Sequence, residues 1–335
     1  MFKLMAFVSF LIVPFFIGCS QQDENSVTVY VSEDQVFSQA VLKEFEKQTG
    51  IKVNALYDSE ESKSTGVMNR LIAEKNNPQA DVYWANEPIR AEVLRQKGIL
   101  APYESPNSKG ISNVFKEKNH FWCGFSARIR LFVVKNGVKK NPSSIKDYTN
   151  QEFYKKGVIA NPLFGTTTSH IAALFTIWGE KRAKEFLDGL KKNSTAISTS
   201  NGESADLVAL GKYDFSLVDS DDALSRLADK KDIHFVYPDQ GKDGVGIFVV
   251  PNTVMLISGA PHEKNAKRLI DFLLSKKSEE MLSLSKCAQI PLHEGVKKPK
   301  DLKSIEDIKV MQVDYANVAK KLIEIQPYLK TWLEK

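Results

Sequence analysis

Strand-like and helix-like hydrophobic patterns alternate along most of the chain. Residues 26–32 are rich in Val and Thr and alternate in polarity, which predicts a β-strand. Residues 36–49 carry apolar side chains three or four positions apart and are followed by Gly50, which predicts a helix that ends there. The same analysis predicts further strands at 52–57, 80–85, 130–135, 157–161, 196–200, 215–219 and 234–237, helices at 62–75, 88–97, 169–178, 181–190 and 222–228, an extended segment at 245–257 and a largely helical remainder. Strands that alternate with helices predict an α/β fold built on parallel strands.

The amino terminus has the pattern of an export signal. Lys3 precedes an apolar run over residues 5–17 that is too short for a membrane span, which needs about 20 apolar residues. Residues 16–19 read Phe-Ile-Gly-Cys and resemble the lipobox of bacterial lipoproteins. We therefore expect residues 1–18 to be a lipoprotein signal peptide, Cys19 to be lipidated and residues 19–25 to be a tether. The alternative is an ordinary secretory signal with Cys19 incidental, and both place the mature protein in the periplasm or cell envelope.

Composition narrows the class of protein. More than 300 of the 335 residues remain after the signal, which exceeds the size that one hydrophobic core usually serves, so two lobes are expected. Lys and Arg number 46 against 41 Asp and Glu, and the two signs are interspersed, so the chain shows no basic footprint for nucleic acid. If Cys19 carries lipid, Cys123 and Cys287 are left either to form a disulfide or to remain as two separate buried thiols.

No sequence motif indicates an enzyme. Residues 241–246 are glycine-rich but lack the Lys-Ser/Thr ending of a P-loop and precede an extended segment instead of a helix. His262-Glu263 and His293-Glu294 lack the second histidine of a zinc-protease motif. These absences do not exclude an enzyme, but no motif favours one, and we expect neither catalysis nor a required cofactor.

Four segments of the amino-terminal half resemble a known family. They are YVSEDQ at 30–35, FEKQTGIKV at 45–53, ADVYWANEP at 80–88 and GILAP at 98–102. They are similar to the first lobe of bacterial extracellular solute-binding proteins of the ferric-ion-binding type, which serve ABC importers. The resemblance implies a two-lobed periplasmic-binding-protein fold, each lobe a mostly parallel sheet flanked by helices. Lobe one is expected at 26–130 plus 250–300, and lobe two at 131–249 plus 301–335. The implied protein is a monomer that captures a small molecule or ion by hinge closure and presents it to the ABC permease.

The resemblance also implies a cation-binding or metal-binding set, with departures from the family pattern. The tyrosine pair of ferric-binding members falls on Asp221 and Asp222, the first-loop histidine falls on Asp34, and the acidic ligand falls on Glu87, or one residue away on Asn86. Asp219 completes the set. The missing phenolates count against iron, although carboxylates are also hard oxygen ligands for Fe3+.

An anion-binding set is implied by the companion-anion site of the same relatives. The candidates are the hydroxyl-rich start of a predicted helix, an asparagine after a strand and two arginines, namely Thr166, Thr167, Thr168, Ser169, His170, Asn201, Arg128 and Arg130. The alternative for the hydroxyl run is an ordinary helix cap. If the strand at 130–135 begins only at Arg130, at least one of the two arginines should lie on the surface.

Three functions fit these residues. The first is binding of a small anionic or zwitterionic phosphate-containing or phosphonate ligand, such as an aminoalkylphosphonate. The second is transport of ferric iron, held as cargo by carboxylates and a companion anion. The third is a metal-dependent phosphoesterase built on the Asp cluster, for which no general base stands out.

Overall fold

The structure is a computed structural model that describes residues 24–58, 65–229 and 231–334. The signal peptide, Cys19 and most of the tether lie outside the described residues, so the lipid anchor remains a prediction. Among the described residues, none of the helices combines the length and the apolar character that a membrane span requires.

The first part of the chain alternates strands and helices as predicted. The first helix ends where Gly50 adopts a left-handed φ of 69° and its N–H donates a hydrogen bond to the carbonyl of Glu46. The elements are β1 (Ser26–Val31), α1 (Gln35–Thr49), β2 (Lys52–Tyr57), α2 (Thr65–Ala73), β3 (Val82–Ala85), α3 (Pro88–Gln96) and β4 (Leu100–Ala101).

The second part of the chain begins with one long strand and ends with helices. Its elements are β5 (Cys123–Lys135), β6 (Gly157–Ala160), α4 (Gly165–Trp178), α5 (Glu180–Lys192), β7 (Ala196–Ser198), α6 (Asn201–Ala209), β8 (Phe215–Asp219), α7 (Ser220–Ala228), β9 (Ile233–Val236), β10 (Val249–Ile257), α8 (Glu263–Leu273), α9 (Lys276–Leu284) and α10 (Tyr315–Glu334).

Two sequence predictions are corrected here, and one helix is found that the sequence analysis did not predict. Strand β5 begins at Cys123 rather than at residue 130, because its first half pairs with β10 although its polar and glycine residues break the strand pattern. Helix α4 begins at Gly165 rather than at residue 169, so the hydroxyl run belongs to its first turns. Helix α6 was not predicted, although Ser200 accepts a hydrogen bond from the N–H of Glu203, a capping pattern that the sequence displays.

The strands follow the order β2-β1-β3-β10-β5-β8-β6-β7, with β4 paired to β10 and β9 paired to β5. Strands β1, β2 and β3 are parallel, as are β6, β7 and β8. Strand β10 is antiparallel to β3 and β5, and β5 is antiparallel to β8, so the sheet is mixed. The prediction of an α/β fold of the two-lobed type is confirmed, with antiparallel strands joining the two parallel groups.

The connection between the two groups runs through a kink in β5. Ser126 has a positive φ of 40°, and the β5–β10 register shifts between Pro251 and Asn252. Asn252 donates to the carbonyl of Ser126 at 3.0 Å, and Glu279 accepts from the N–H of Ser126 at 2.8 Å. Buried side chains therefore hold the backbone at the point where the chain passes from one group of strands to the other.

The carboxyl group of Glu279 has further buried partners. It accepts from the N–H of Leu292 at 2.8 Å and lies 2.9 Å from Nδ1 of His293. Nε2 of His293 lies 3.0 Å from the carbonyl of Asn107 and 3.1 Å from that of Lys109. Both ring nitrogens face acceptors, which favours the protonated imidazole. This ion pair links β5, α9 and two loops.

Cys123 and Cys287 are buried free thiols. Burial raises the pKa of each to about 12, so both are protonated and unreactive at neutral pH. Of the two alternatives for these residues, the structure shows separate thiols.

A candidate ligand-binding cleft

The predicted site residues converge because their loops follow parallel strands. The loops after β1, β3, β6, β7 and β8 all contribute to one cavity of about 550 Å³. In α/β proteins, ligands bind at such carboxyl ends of strands. The first group of strands supplies Asp34, Asn86, Glu87 and Arg90 to the cavity, and Arg128 reaches it from β5. The second group supplies Ala160, Asn161, Phe164, Gly165, Thr166, Thr167, Thr199, Ser200, Asn201, Gly202, Asp219, Asp221 and Asp222.

Several helices begin at this cavity. Residues at the starts of α1, α3, α4, α6 and α7 all line it. The start of α4 has Phe164 at its cap position, which offers no side-chain acceptor to the first N–H groups. Gly165 has a φ of 59°, a left-handed conformation that suits glycine and turns the chain from the loop into the helix. The positive end of α4 thus points into the cleft and favours an anion.

Arg130 lies beneath the floor of the cleft and is fully buried, with 0% exposure. Its NH1 donates to Oγ1 of Thr166 at 3.1 Å, to Oδ1 of Asn201 at 2.9 Å and to Oδ1 of Asp219 at 2.9 Å. Its NH2 donates to Oγ1 of Thr167 at 3.1 Å and to the carbonyl of Leu217 at 2.9 Å. One guanidinium therefore ties the starts of α4 and α6 to the end of β8.

Both carboxylate oxygens of Asp219 already accept hydrogen bonds in this arrangement. The hydroxyl of Thr166 lies 2.9 and 2.8 Å from its two carboxylate oxygens, in addition to the bond from Arg130. Asn201 Nδ2 donates in turn to Oγ1 of Thr166 at 2.9 Å. The carboxylate is 3% exposed and is neutralised by a buried cation, so it organises the cleft floor.

Arg128 is the cation that faces the cavity. Its NH2 donates to the carbonyl of Asn86 at 2.6 Å, and its NH1 lies 3.8 Å from Asp219. Burial by itself lowers the pKa of Arg128, but the charges of Asp219, Asp221, Glu33 and Glu87 outweigh it and the pKa is raised. Arg128 therefore carries its charge at every working pH. The expectation that one of the two arginines lies on the surface is wrong, because β5 carries both inward.

The carboxyl groups at the start of α7 have raised pKa values, because they are buried beside other negative charges. Burial, followed by the charges of Asp221 and Asp219, raises the pKa of Asp222 to about 7. Burial also raises the pKa of Asp221, whose Oδ1 is buried without a hydrogen-bond partner. Carboxylate oxygens of Asp219, Asp221 and Asp222 lie within 4.8 Å of one another, a spacing that could hold a metal ion. A positive charge placed here would favour ionisation of Asp221 and Asp222.

Glu87 adds a carboxyl group to the cavity from the first group of strands, whereas Asp219, Asp221 and Asp222 come from the second group. One of its carboxylate oxygens accepts from the hydroxyl of Ser169 at 3.2 Å, and the other lies 3.3 Å from Nε of Arg90. In the loop after β1, burial raises the pKa of Glu33 to about 7. Asp34, at the cap of α1, lines the cavity nearby.

The structure brings most of the predicted residues into one cleft and places four outside its lining. Thr168 and Ser169 are buried within α4, and Arg130 lies under the floor. His170 stacks on Phe248 with ring centroids 5.2 Å apart. Its burial, aided by the charge of Arg130, holds its pKa well below the ordinary value, so it is neutral.

Sequence reasoning missed Arg90, Asn161, Phe164 and the loop at 199–200, all of which line the cavity. Arg90 could have been found, because it lies one helical turn after Glu87. Phe164 gave no signal, since an isolated aromatic residue is more often in the core.

The comparisons with known proteins agree with this fold. Residues 27–283 match the family model of the bacterial extracellular solute-binding protein. A relative from Salmonella typhimurium described as a putative 2-aminoethylphosphonate-binding periplasmic protein is 26% identical over 268 residues, which cover 78% of this chain and 77% of that protein. The major ferric iron-binding protein of Neisseria meningitidis serogroup B is 23% identical over 310 residues, covering 88% of this chain and 89% of that protein.

Solved structures show the same fold. The Trichodesmium protein IdiA (FutA), solved in complex with iron and citrate ligands, superimposes with a TM-score of 0.82 at 23% identity, over 92% of this chain and 100% of that chain. The chain belongs to the bacterial extracellular solute-binding protein family. It is a substrate-binding protein of an ABC importer.

Proposed function

We propose that the cleft binds a small organophosphorus zwitterion of the aminoalkylphosphonate type and that the closed protein delivers it to the importer's permease. The anionic end would meet the start of α4 at Gly165 to Thr167 and the guanidinium of Arg128. Backbone N–H groups at a helix start and an arginine are the usual donors to phosphate-type oxygens.

The cationic end would meet the acidic side of the cleft. Asp221 and Asp222 carry raised pKa values because burial and the charges of neighbouring aspartates disfavour their ionised forms. An ammonium group placed beside them would relieve that repulsion and return the pKa values towards their ordinary range. Glu87 and Asp34 extend the same negative surface across the cleft.

One observation carries this proposal: the cleft contains both charges, with acid in excess. Five carboxyl groups and two arginines line it, and Arg130 beneath the floor neutralises Asp219. A simple dianion would meet Arg128 but would also face Asp221 and Asp222, whose ionised forms burial and neighbouring charge already disfavour. A ligand that carries an ammonium as well as a phosphonate satisfies both sides, and the name of the Salmonella relative agrees with this chemistry.

Ferric iron is the second candidate, favoured by the spacing of Asp219, Asp221 and Asp222 and by the Neisseria relative. Two features weigh against it. Among the described residues, no tyrosine or histidine lines the cavity, so phenolate ligands are missing there. Asp219 is also already bonded to Arg130 and Thr166, which leaves fewer lone pairs for a metal.

The decisive experiment is calorimetric titration of ligand-stripped protein with 2-aminoethylphosphonate, inorganic phosphate and ferric citrate, the two phosphorus ligands in the presence of chelator. The proposal expects saturable binding of the phosphonate without metal. Arg128→Met should lose this binding, because the anion's charged donor is removed. Arg70→Met is the matched control, since Arg70 pairs with Glu74 and does not line the cavity. Binding of ferric citrate alone would reverse the assignment.

We further infer that the protein works as a monomer, anchored in the envelope by lipid on Cys19. The lobe limits proposed for it are 26–130 plus 250–300 and 131–249 plus 301–335. Helix α10 packs against both α3 and α4, so it spans the proposed lobes. Cys19→Ser should move the protein from the membrane fraction to the soluble envelope fraction. Retention in the membrane would contradict the anchor.

A further inference from the structure

Phe164 is an exposed aromatic side chain in the wall of the cleft. Its exposure is 65%, although its neighbour Ala160 on the cavity wall is buried. Among the described residues that line the cleft, Phe164 is the one large apolar side chain, and all of the others are polar, charged, Gly or Ala. The cleft therefore contains one apolar surface in an otherwise polar wall.

The backbone around Phe164 is held firmly. Its N–H donates to the carbonyl of Asn161 at 3.2 Å, and the N–H of Leu163 donates to Oδ1 of Asn161 at 2.9 Å. Its own carbonyl accepts from the N–H of Thr168 at 3.4 Å, which joins Phe164 to the first turn of α4. The ring is thus presented from an anchored turn, a useful arrangement for a contact residue because little entropy is lost on binding.

Phe164 also sits at a defined place relative to the proposed anion site. It is the cap residue of α4 and immediately precedes Gly165, whose turn opens the helix start. Phe164 lines the same cavity as Gly165, Thr166 and Thr167, so the ring is adjacent to a ligand whose anionic group reaches the first N–H groups of α4. The atoms that follow the anionic group are carbon in an organophosphorus compound and are absent in inorganic phosphate.

We infer that Phe164 is a specificity-determining residue that covers the carbon skeleton of the bound ligand and so selects organic phosphonates over inorganic phosphate. This inference rests on the proposed function. The selection follows from burial of apolar surface: a two-carbon skeleton gains from contact with the ring, whereas phosphate has no apolar surface to bury. The polar residues of the cleft would then bind the charged groups of the ligand, and Phe164 would contact its carbon chain.

The test compares inorganic phosphate with two phosphonates of increasing carbon content, the larger of which also carries an ammonium group. Wild type, Phe164→Ala and Phe164→Leu would be titrated calorimetrically with inorganic phosphate, methylphosphonate and 2-aminoethylphosphonate. Phe164→Ala should weaken 2-aminoethylphosphonate about tenfold, weaken methylphosphonate less and change phosphate by no more than about twofold. Phe164→Leu should fall between wild type and Phe164→Ala. Leu210→Ala is the matched control, because Leu210 is 69% exposed and lies outside the cleft lining.

Each result decides the matter. Losses that grow with the carbon content of the ligand support the inference. Equal losses for all three ligands would show that the ring merely positions the helix start, and unchanged affinities would show that it makes no contact, so either result overturns the inference alone. If wild type binds none of the phosphonates, the proposed function fails as well, and that is seen before any variant is made.

Discussion

Removal of the Arg130 guanidinium tests most directly whether Arg130 organises the floor of the cleft. The change Arg130→Met keeps an apolar side chain of similar length in a fully buried position. It removes five hydrogen bonds of 2.9 to 3.1 Å to four side chains and backbone of β8. Asp219 would keep only the hydroxyl of Thr166 at hydrogen-bond distance, with Arg128 at 3.8 Å.

The expected cost follows from the burial of the pair. Removing one partner of a buried ion pair leaves the other as an uncompensated charge and costs about 3–5 kcal/mol. We expect the free energy of unfolding of Arg130→Met to fall by about that amount, measured by urea denaturation followed by circular dichroism. The double variant Arg130→Met with Asp219→Asn should be destabilised by less than the sum of the two single variants, by about 0.5–3 kcal/mol.

A second readout separates stability from the site. At a temperature where Arg130→Met remains folded, its affinity for the ligand should be weaker, because Thr166, Thr167 and Asn201 lose the group that orients them. The reasoning would be refuted by a loss of stability below about 1 kcal/mol together with additive effects of the Arg130 and Asp219 changes, since a real buried pair must couple.

Two further predictions concern pH. Because the pKa of Asp222 is raised to about 7 and an ammonium ligand needs the ionised carboxylate, affinity for 2-aminoethylphosphonate should fall about tenfold from pH 8 to pH 6. Calorimetry should show this dependence reduced in Asp222→Asn, and tighter binding by wild type at pH 6 would contradict it. Burial alone would lower the pKa of His293, but Glu279 and the facing carbonyls outweigh it and raise the pKa. The protonated pair therefore stabilises the fold at low pH and loses this contribution as pH rises through the folded-state pKa. The advantage of wild type over His293→Gln in the free energy of unfolding should shrink between pH 6 and pH 9, and an advantage that grows would refute the assignment.

Much of the fold could be predicted because its cause is local. The strand at β1, the helix at α1 and the stop at Gly50 follow from side-chain periodicity and from the left-handed backbone of glycine. The errors lie where pairing with distant strands overrides a weak local pattern, as in the first half of β5.

The site also has features that could be predicted before the structure was known and features that could not. The family resemblance assigned Asp34, Glu87 and Asp222 to one cleft before the structure was known, and the position of Asp222 after a predicted strand agreed with that assignment. The role of each side chain in that cleft could not, as Arg128 and Arg130 show. They are two residues apart on β5, yet the first faces the cavity and the second lies under the starts of α4 and α6.

The alternation of strands and helices could be predicted from the residues alone, because periodicity and turn chemistry are properties of neighbouring residues. The class of protein and most of the candidate site residues came from the resemblance of four segments to a known family. The folded structure was needed to show that Arg130 organises the floor, that Cys123 and Cys287 stay apart as thiols and that Phe164 is exposed in the cleft. Burial and hydrogen-bond partners depend on segments distant in the chain, which meet only when the fold is complete.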